Sequence, residues 1–305
     1  VSRRPGVVGS HSGMIRSAYS FAFTPIGEGS TMTDMHEVYP NAPLALVAVE
    51  VRFPEAAADR PLPLPLQRSF RDSLGDDWVI EAQKLQQFGV ALGPGAPGQQ
   101  AFQEVVVPRF TVRDRTLSVA ITSTSVTVET TAYRHYLEFR AVLRRVFDAA
   151  AELLSPDGIT RVGMRYIDEI RVPEPISDAR QWSEWIDNRL IDHLAVGPKI
   201  YPVAMTQGVT TYDLGNGKGL NFRYAALNGG PVVDPQVLKS RRDSASGPFF
   251  VLDFDGYENI PLQLANPIDP EIVGKSLAAV HGPAGETFQN SITEKARQLF
   301  RGNTA

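Results

Sequence analysis

The chain contains no cysteine in its 305 residues. Disulfides, thiolate nucleophiles and Cys-ligated zinc or iron–sulfur centres are therefore excluded, although the absence suits any compartment. Five histidines are present, His11, His36, His135, His193 and His281. No two of them stand at metal-ligand spacing on one predicted element, so a histidine metal site would have to be assembled from distant segments. His135, in the first turn of a predicted helix, reads as a boundary residue. No apolar run approaches the roughly 20 residues that cross a bilayer. The nucleophile motif G-x-S-x-G is missing. Charge of one sign is not concentrated either: 30 basic and 34 acidic residues give a net charge of -4. Without a basic stripe, non-specific nucleic-acid binding has no electrostatic footprint, and Arg241-Arg242 reads as a solvated loop.

What is present is a 43% hydrophobic chain, long enough for a substantial core. The clearest pattern runs from Thr116 to Val172. Leu117, Val119 and Ile121 alternate, and Val126 and Val128 follow a Ser/Thr-rich turn, as a half-buried antiparallel hairpin requires. The period then becomes helical, with Tyr136, Phe139, Leu143, Val146, Ala150 and Leu153 on one face until Ser155-Pro156-Asp157-Gly158 stops it. Alternation resumes at Val162, Met164, Tyr166, Ile170 and Val172.

The remaining chain reads as follows. Leu44–Phe53 is a strand, Glu55–Pro65 a connector, Leu66–Leu74 a short helix, and Trp78–Leu92 strand-like, although Glu81–Phe88 could also be helical. A Gly/Pro loop at Gly93–Gly98 precedes a strand over Val105–Val112. Asp178–Leu194 reads as an amphipathic helix with Trp182 and Trp185 on its apolar face. Asn216-Gly217 closes a hairpin between Val203–Tyr212 and Leu220–Leu227. Asn228–Pro248 is a long polar loop, a type that is often functional. Phe249–Phe254 is a central strand, and helices over 270–281 and 286–300 break at Gly282-Pro283. The fold class expected is α+β: antiparallel sheet packed by long amphipathic helices, in two halves of similar strand–hairpin–helix order. The domain reading is a disordered extension over 1–38, with a true start at Met32 or Met35, and α+β halves over 39–177 and 178–305. No secretory leader is evident, and the cytoplasm is the expected location.

Several positions carry candidate chemistry. Asp168 shares a strand face with Val162, Met164 and Tyr166, where an ionised carboxylate needs a cation or donors. It is read either as a ligand-binding carboxylate or as a group at a bulge or wet sheet end. The opposite face carries Arg161, Arg165, Glu169 and Arg171, suited to an anionic ligand or to a solvated ion-pair lattice. Neighbouring strand residues face opposite sides, so the Arg165/Arg171 side and the Tyr166/Asp168 side are rival ligand sites. Asp253 and Asp255 form a D-x-D that could chelate Mg²⁺ or Mn²⁺, or pair with nearby arginines. Gly274-Lys275-Ser276 resembles the end of a phosphate loop, but Asp269 occupies the glycine position of that motif and would repel phosphate.

Three stretches carry a resemblance. They are Asn41-Ala42-Pro43-Leu44 running into Val49-Glu50-Val51-Arg52-Phe53-Pro54, then Arg161-Val162-Gly163-Met164-Arg165-Tyr166-Ile167-Asp168, and Phe288–Phe300 around Ser291-Ile292-Thr293. From Tyr39 onward the chain resembles a sporadically distributed family of bacterial proteins without an assigned activity. That resemblance implies no catalytic residues. The function expected is a non-catalytic binding protein for a partner protein, peptide or small anionic ligand, without cofactor, nucleic acid or membrane. The alternative is a metal-dependent enzyme acting on a phosphorylated or other anionic substrate, with Asp253 and Asp255 holding the metal.

Overall fold

The computed structural model describes residues 37–54, 62–90, 100–241 and 246–302, with backbone alone over 84–90 and 100–105. The expected N-terminal extension (up to 36), most of the Glu55–Pro65 connector, the Gly93–Gly98 loop and Arg242 lie outside the described residues. Nine strands form one antiparallel sheet: β1 (Leu44–Arg52), β2 (Trp78–Val90), β3 (Gln100–Val112), β4 (Leu117–Ile121), β5 (Ser125–Thr130), β6 (Arg161–Ile170), β7 (Thr206–Gly215), β8 (Lys218–Asn228) and β9 (Pro248–Asn259). Among the described residues four α-helices accompany it: α1 (Leu64–Leu74), α2 (Tyr136–Leu154), α3 (Pro270–Ser291) and α4 (Glu294–Arg301). No helix among the described residues is long and apolar enough to cross a membrane.

The spatial order is β2-β3-β4-β5-β1-β6-β9-β8-β7. With β2 set aside, the order is symmetric about the β1/β6 pair. In each half a central strand is followed by a three-strand meander that returns beside it, β3-β4-β5 in one and β7-β8-β9 in the other. A long helix closes each half, α2 after β5 and α3 after β9. Both halves contribute to the one continuous sheet.

Alternation decides what each sheet face becomes. Val47, Val49 and Val51 of β1, Val126 and Val128 of β5, and Val162 and Met164 of β6 point to one side, where Phe139, Leu143, Val146 and Phe147 of α2 cover them. Further along the same side, Leu220 and Phe222 of β8 and Phe250, Leu252 and Phe254 of β9 pack with Trp182, Trp185 and Ile186. Burying each such side chain contributes on the order of 1.5–3 kcal/mol, so this helix-covered side carries the main core.

Two helical expectations change. Asp178–Leu194 is not one α-helix but three 3₁₀ segments, Ala179–Glu184, Asn188–Leu190 and Asp192–Val196. Asp178 and Asp187 accept backbone N–H groups of Arg180 and Arg189, and Ile186 pairs with Ile292 as a β-bridge, so local bonds replace the α-helical ladder. The tryptophans still staple the segment: Trp182 and Trp185 are buried, and Trp182 lies against Phe250. Conversely, Pro283 does not break α3, which runs on to Ser291. Gly256 of β9 lets this helix approach closely, since a Cβ there would lie 3.0 Å from Cβ of Val280. Tertiary burial of Val280 and Ala284 outweighs the one backbone bond that proline removes. Asp269 caps α3 by accepting the N–H of Glu271. The chain instead breaks at Ile292, and Thr293 caps α4.

Candidate functional site: the helix-free sheet face

The alternate residues of the strands face the side that α2 and α3 leave open, and they are largely charged. Arg165 of β6 donates from Nε and Nη2 to the two oxygens of Asp253 on β9, both at 2.7 Å. Arg223 of β8, directly opposite Asp253 in register, adds a longer contact of 3.5 Å from Nη1. The Asp253 side chain is 7% exposed, whereas those of Arg165 and Arg223 are 46% and 43% exposed. The Asp253 hydrogen bond raises the Arg165 pKa, with Asp255 and Glu129 adding and burial opposing. A buried carboxylate thus holds two half-exposed guanidiniums.

One residue pair nearer the sheet end, Arg161 bridges Glu50 at 3.0 Å and Asp255 at 3.1 Å. Its guanidinium lies over Gly163, whose missing side chain makes the room, and over the Tyr257 ring at 4.9 Å. Asn221 donates to Asp255, and Arg52 to Glu50. On the other flank Arg109 of β3, 6% exposed, donates to Gln83, Ser118 and Glu129. Charges of both signs therefore alternate across the face in a nearly neutral lattice.

The Asn228–Pro248 loop straps one end of this face. It leaves β8 and enters β9, yet its middle reaches the β3–β4 turn. There Lys239 N–H donates to the Arg115 carbonyl, the Thr131 hydroxyl to the Lys239 carbonyl, and the Arg115 guanidinium to the carbonyls of Gln236 and Val237. Val233 and Leu238 of the strap are buried, as are Ile167 and Phe249 on the open face, and all four lie outside the two helix-side clusters. Arg171 sits at this strapped end. It binds Glu169 and the Gly247 carbonyl and lies over Phe249 at 4.5 Å. Its Nη2 is buried without a hydrogen-bond partner among the described residues.

The structure thus sorts the residues singled out in the sequence. Arg165 and Arg171 share the open face but stand about 20 Å apart, six residues along an extended chain. Asp253 and Asp255 join Arg165 there, as ion-pair partners of Arg165 and Arg161. Among the described residues no group of three or more His, Asp and Glu is placed to hold a metal ion. Tyr166 and Asp168 face the helices. The Tyr166 hydroxyl meets His281 Nδ1 at 2.7 Å and Met164 Sδ at 3.1 Å. Asp168 is 5% exposed and has a partner; the bulge expected near it lies in the neighbouring strand, between Leu44 and Leu46 of β1. Sequence reasoning missed Arg109, Arg223, Glu129, Glu50 and His281. For Arg223 the alternation of β8 was available, but its placement opposite Asp253 depends on strand pairing. Searches against family models, curated proteins and solved structures returned no significant match.

Proposed function

We propose that this chain is a non-catalytic binding protein that engages a partner protein through its helix-free sheet face, with Arg165 and Arg223 meeting carboxylates of that partner. The observation that carries this reading is the buried Asp253 beneath two half-exposed guanidiniums. Side chains held in this way lose little rotamer freedom on binding, and their remaining N–H donors match carboxylate geometry. A face nine strands wide, with alternating charge, offers area more than enclosure, and area is what a protein partner uses. Tyr166 and Asp168 take no part in this contact, because they serve the helix-side packing.

The test compares tagged wild-type protein with an Arg165→Gln/Arg223→Gln variant, whose amides still donate to Asp253, both purified gently from the native host and weighed by native mass spectrometry. A stoichiometric partner present with the wild type and lost with the variant, whose circular-dichroism melt stays cooperative, supports the reading. A partner retained by the variant, or none with either protein, overturns it.

A further inference from the structure

The two edges of the sheet are not alike. Edge strands usually carry charges, prolines or bulges that discourage a further strand from pairing. Strand β2 carries Glu81 and Lys84. Strand β7, at the other edge, reads Thr-Gln-Gly-Val-Thr-Thr-Tyr-Asp-Leu-Gly and has a single charge, Asp213, beside the irregularity near its turn. Most of β7 is exposed, with Val209 at 66% and Tyr212 at 43%. The segment leading into it also exposes Ile200, Tyr201 and Met205. A ten-residue strand with no further strand beside it among the described residues, and with a single charge, is a ready template for strand addition.

On the helix side of this edge lies a groove of about 460 Å³ between the β7–β8 hairpin and α3. Leu220, Phe222 and Pro283 supply apolar lining, and Glu286 supplies acid. Asp187 and Arg189 also border it and pair with each other at 2.6 Å. Among the described residues Glu286 forms no ion pair, whereas Asp213, opposite Gly219 in register, is directed to the other sheet face and accepts the backbone N–H of Gly215. The groove therefore joins an apolar surface to one uncompensated carboxylate, that of Glu286, next to a strand edge with no further strand beside it among the described residues.

We infer that β7 is a docking edge for an extended segment of a partner protein, which adds as a tenth strand and projects a lysine or arginine into the adjoining groove. Residues of an added strand alternate between the two sheet faces, so every second side chain is directed to the groove side. A lysine or arginine fits both halves of the site: its methylene stem covers Leu220, Phe222 and Pro283, and its charge reaches Glu286. Main-chain pairing supplies the affinity, and the acid supplies the choice of side chain. This inference is independent of the proposal for the helix-free face.

The test uses the full chain and a fluorescein-labelled eight-residue peptide of alternating threonine and valine with a central lysine, followed by anisotropy and amide hydrogen exchange. The expected result is saturable binding, slowed exchange in β7, and affinity weaker by about tenfold or more for a glutamate-centred peptide or for the Glu286→Lys variant. Glu286 is exposed, so its replacement leaves the fold intact. Equal binding of the two peptides, unchanged binding by Glu286→Lys, or no protection of β7 overturns the inference. So does a dimer in sedimentation velocity that buries β7 and excludes the peptide, since the occupant is then a second copy. The Arg165→Gln/Arg223→Gln variant binds the peptide as the wild type does, which separates the two proposals.

Discussion

Arg165 holds Asp253 through two parallel hydrogen bonds of 2.7 Å, and of the two partners it is the carboxylate, not the guanidinium, that is buried. The asymmetry fixes which substitution hurts. Arg165→Ala leaves a buried carboxylate with one contact of 3.5 Å to Arg223. Removing one partner of a fully buried pair costs about 3–5 kcal/mol, and the exposure of Arg165 reduces this to about 2–3 kcal/mol. Arg223→Ala removes only the long contact and costs below about 1 kcal/mol. Urea denaturation of the two variants ranks them; equal losses would mean that Asp253 does not depend on Arg165.

Much of this arrangement was legible in the sequence and some was not, for separable reasons. Alternation along β6 placed Arg165 and Arg171 against Tyr166 and Asp168 on opposite faces because side-chain direction in a strand is a local property. The helical face of α2 was legible for the same reason. Which strand lies beside β6 is a long-range property, so the pairing of Arg165 with Asp253 could be named only in general terms, as an arginine partner for the D-x-D. The Asp178–Leu194 and Pro283 readings failed in opposite directions. In the first, aspartate side chains captured backbone donors that a helix needs; in the second, burial carried a helix through a proline.

Two glycines should respond differently to the same added methyl. In Gly163→Ala the new Cβ would meet the Arg161 guanidinium at 2.8 Å, and that end of a long side chain can swing aside. The cost is the loosening of two partly exposed ion pairs, about 1 kcal/mol or less. In Gly158→Ala the Cβ would meet Cβ of Ala265 at 2.8 Å and its backbone carbon at 3.2 Å. Backbone must then move, at a cost of about 1–3 kcal/mol. A larger fall in midpoint denaturant for Gly158→Ala than for Gly163→Ala is the expected order.

Asp178 links stability to pH. Its carboxylate accepts the N–H of Arg180 at 2.9 Å and that of Val203 at 3.3 Å and pairs with the Arg180 guanidinium, while Gln181 completes a capping box. The Arg180 backbone N–H is the largest influence lowering its pKa, against an opposing effect of burial. A lowered carboxylate pKa means that the folded state favours the ionised form. The stabilisation is complete above the ordinary aspartate value, near pH 4, and is lost as pH falls through the lowered one. Asp178→Ala should cost about 1 kcal/mol at neutral pH. Asp178→Asn should be less stable than wild type at neutral pH yet approach it as pH falls below the lowered pKa, giving a shallower acid limb in pH-dependent melts.

The last prediction separates binding from metal-dependent catalysis. A divalent ion at Asp253 and Asp255 would have to displace the guanidiniums of Arg165 and Arg161 from the same oxygens. It would then find no third acidic or histidine ligand grouped with them among the described residues. Hard cations such as Mg²⁺ and Mn²⁺ need several oxygen ligands, and two carboxylates already neutralised by arginine offer little gain. Any ion that binds the folded state alone adds RT ln(1 + [L]/Kd) to stability, about 2.7 kcal/mol at a hundredfold excess over Kd. Millimolar Mg²⁺ or Mn²⁺ should therefore leave the melting temperature where a sodium chloride control of equal ionic strength leaves it. A rise specific to the divalent ion and abolished by Asp253→Asn would instead place a metal on these carboxylates and favour the enzyme that the sequence offered as its alternative.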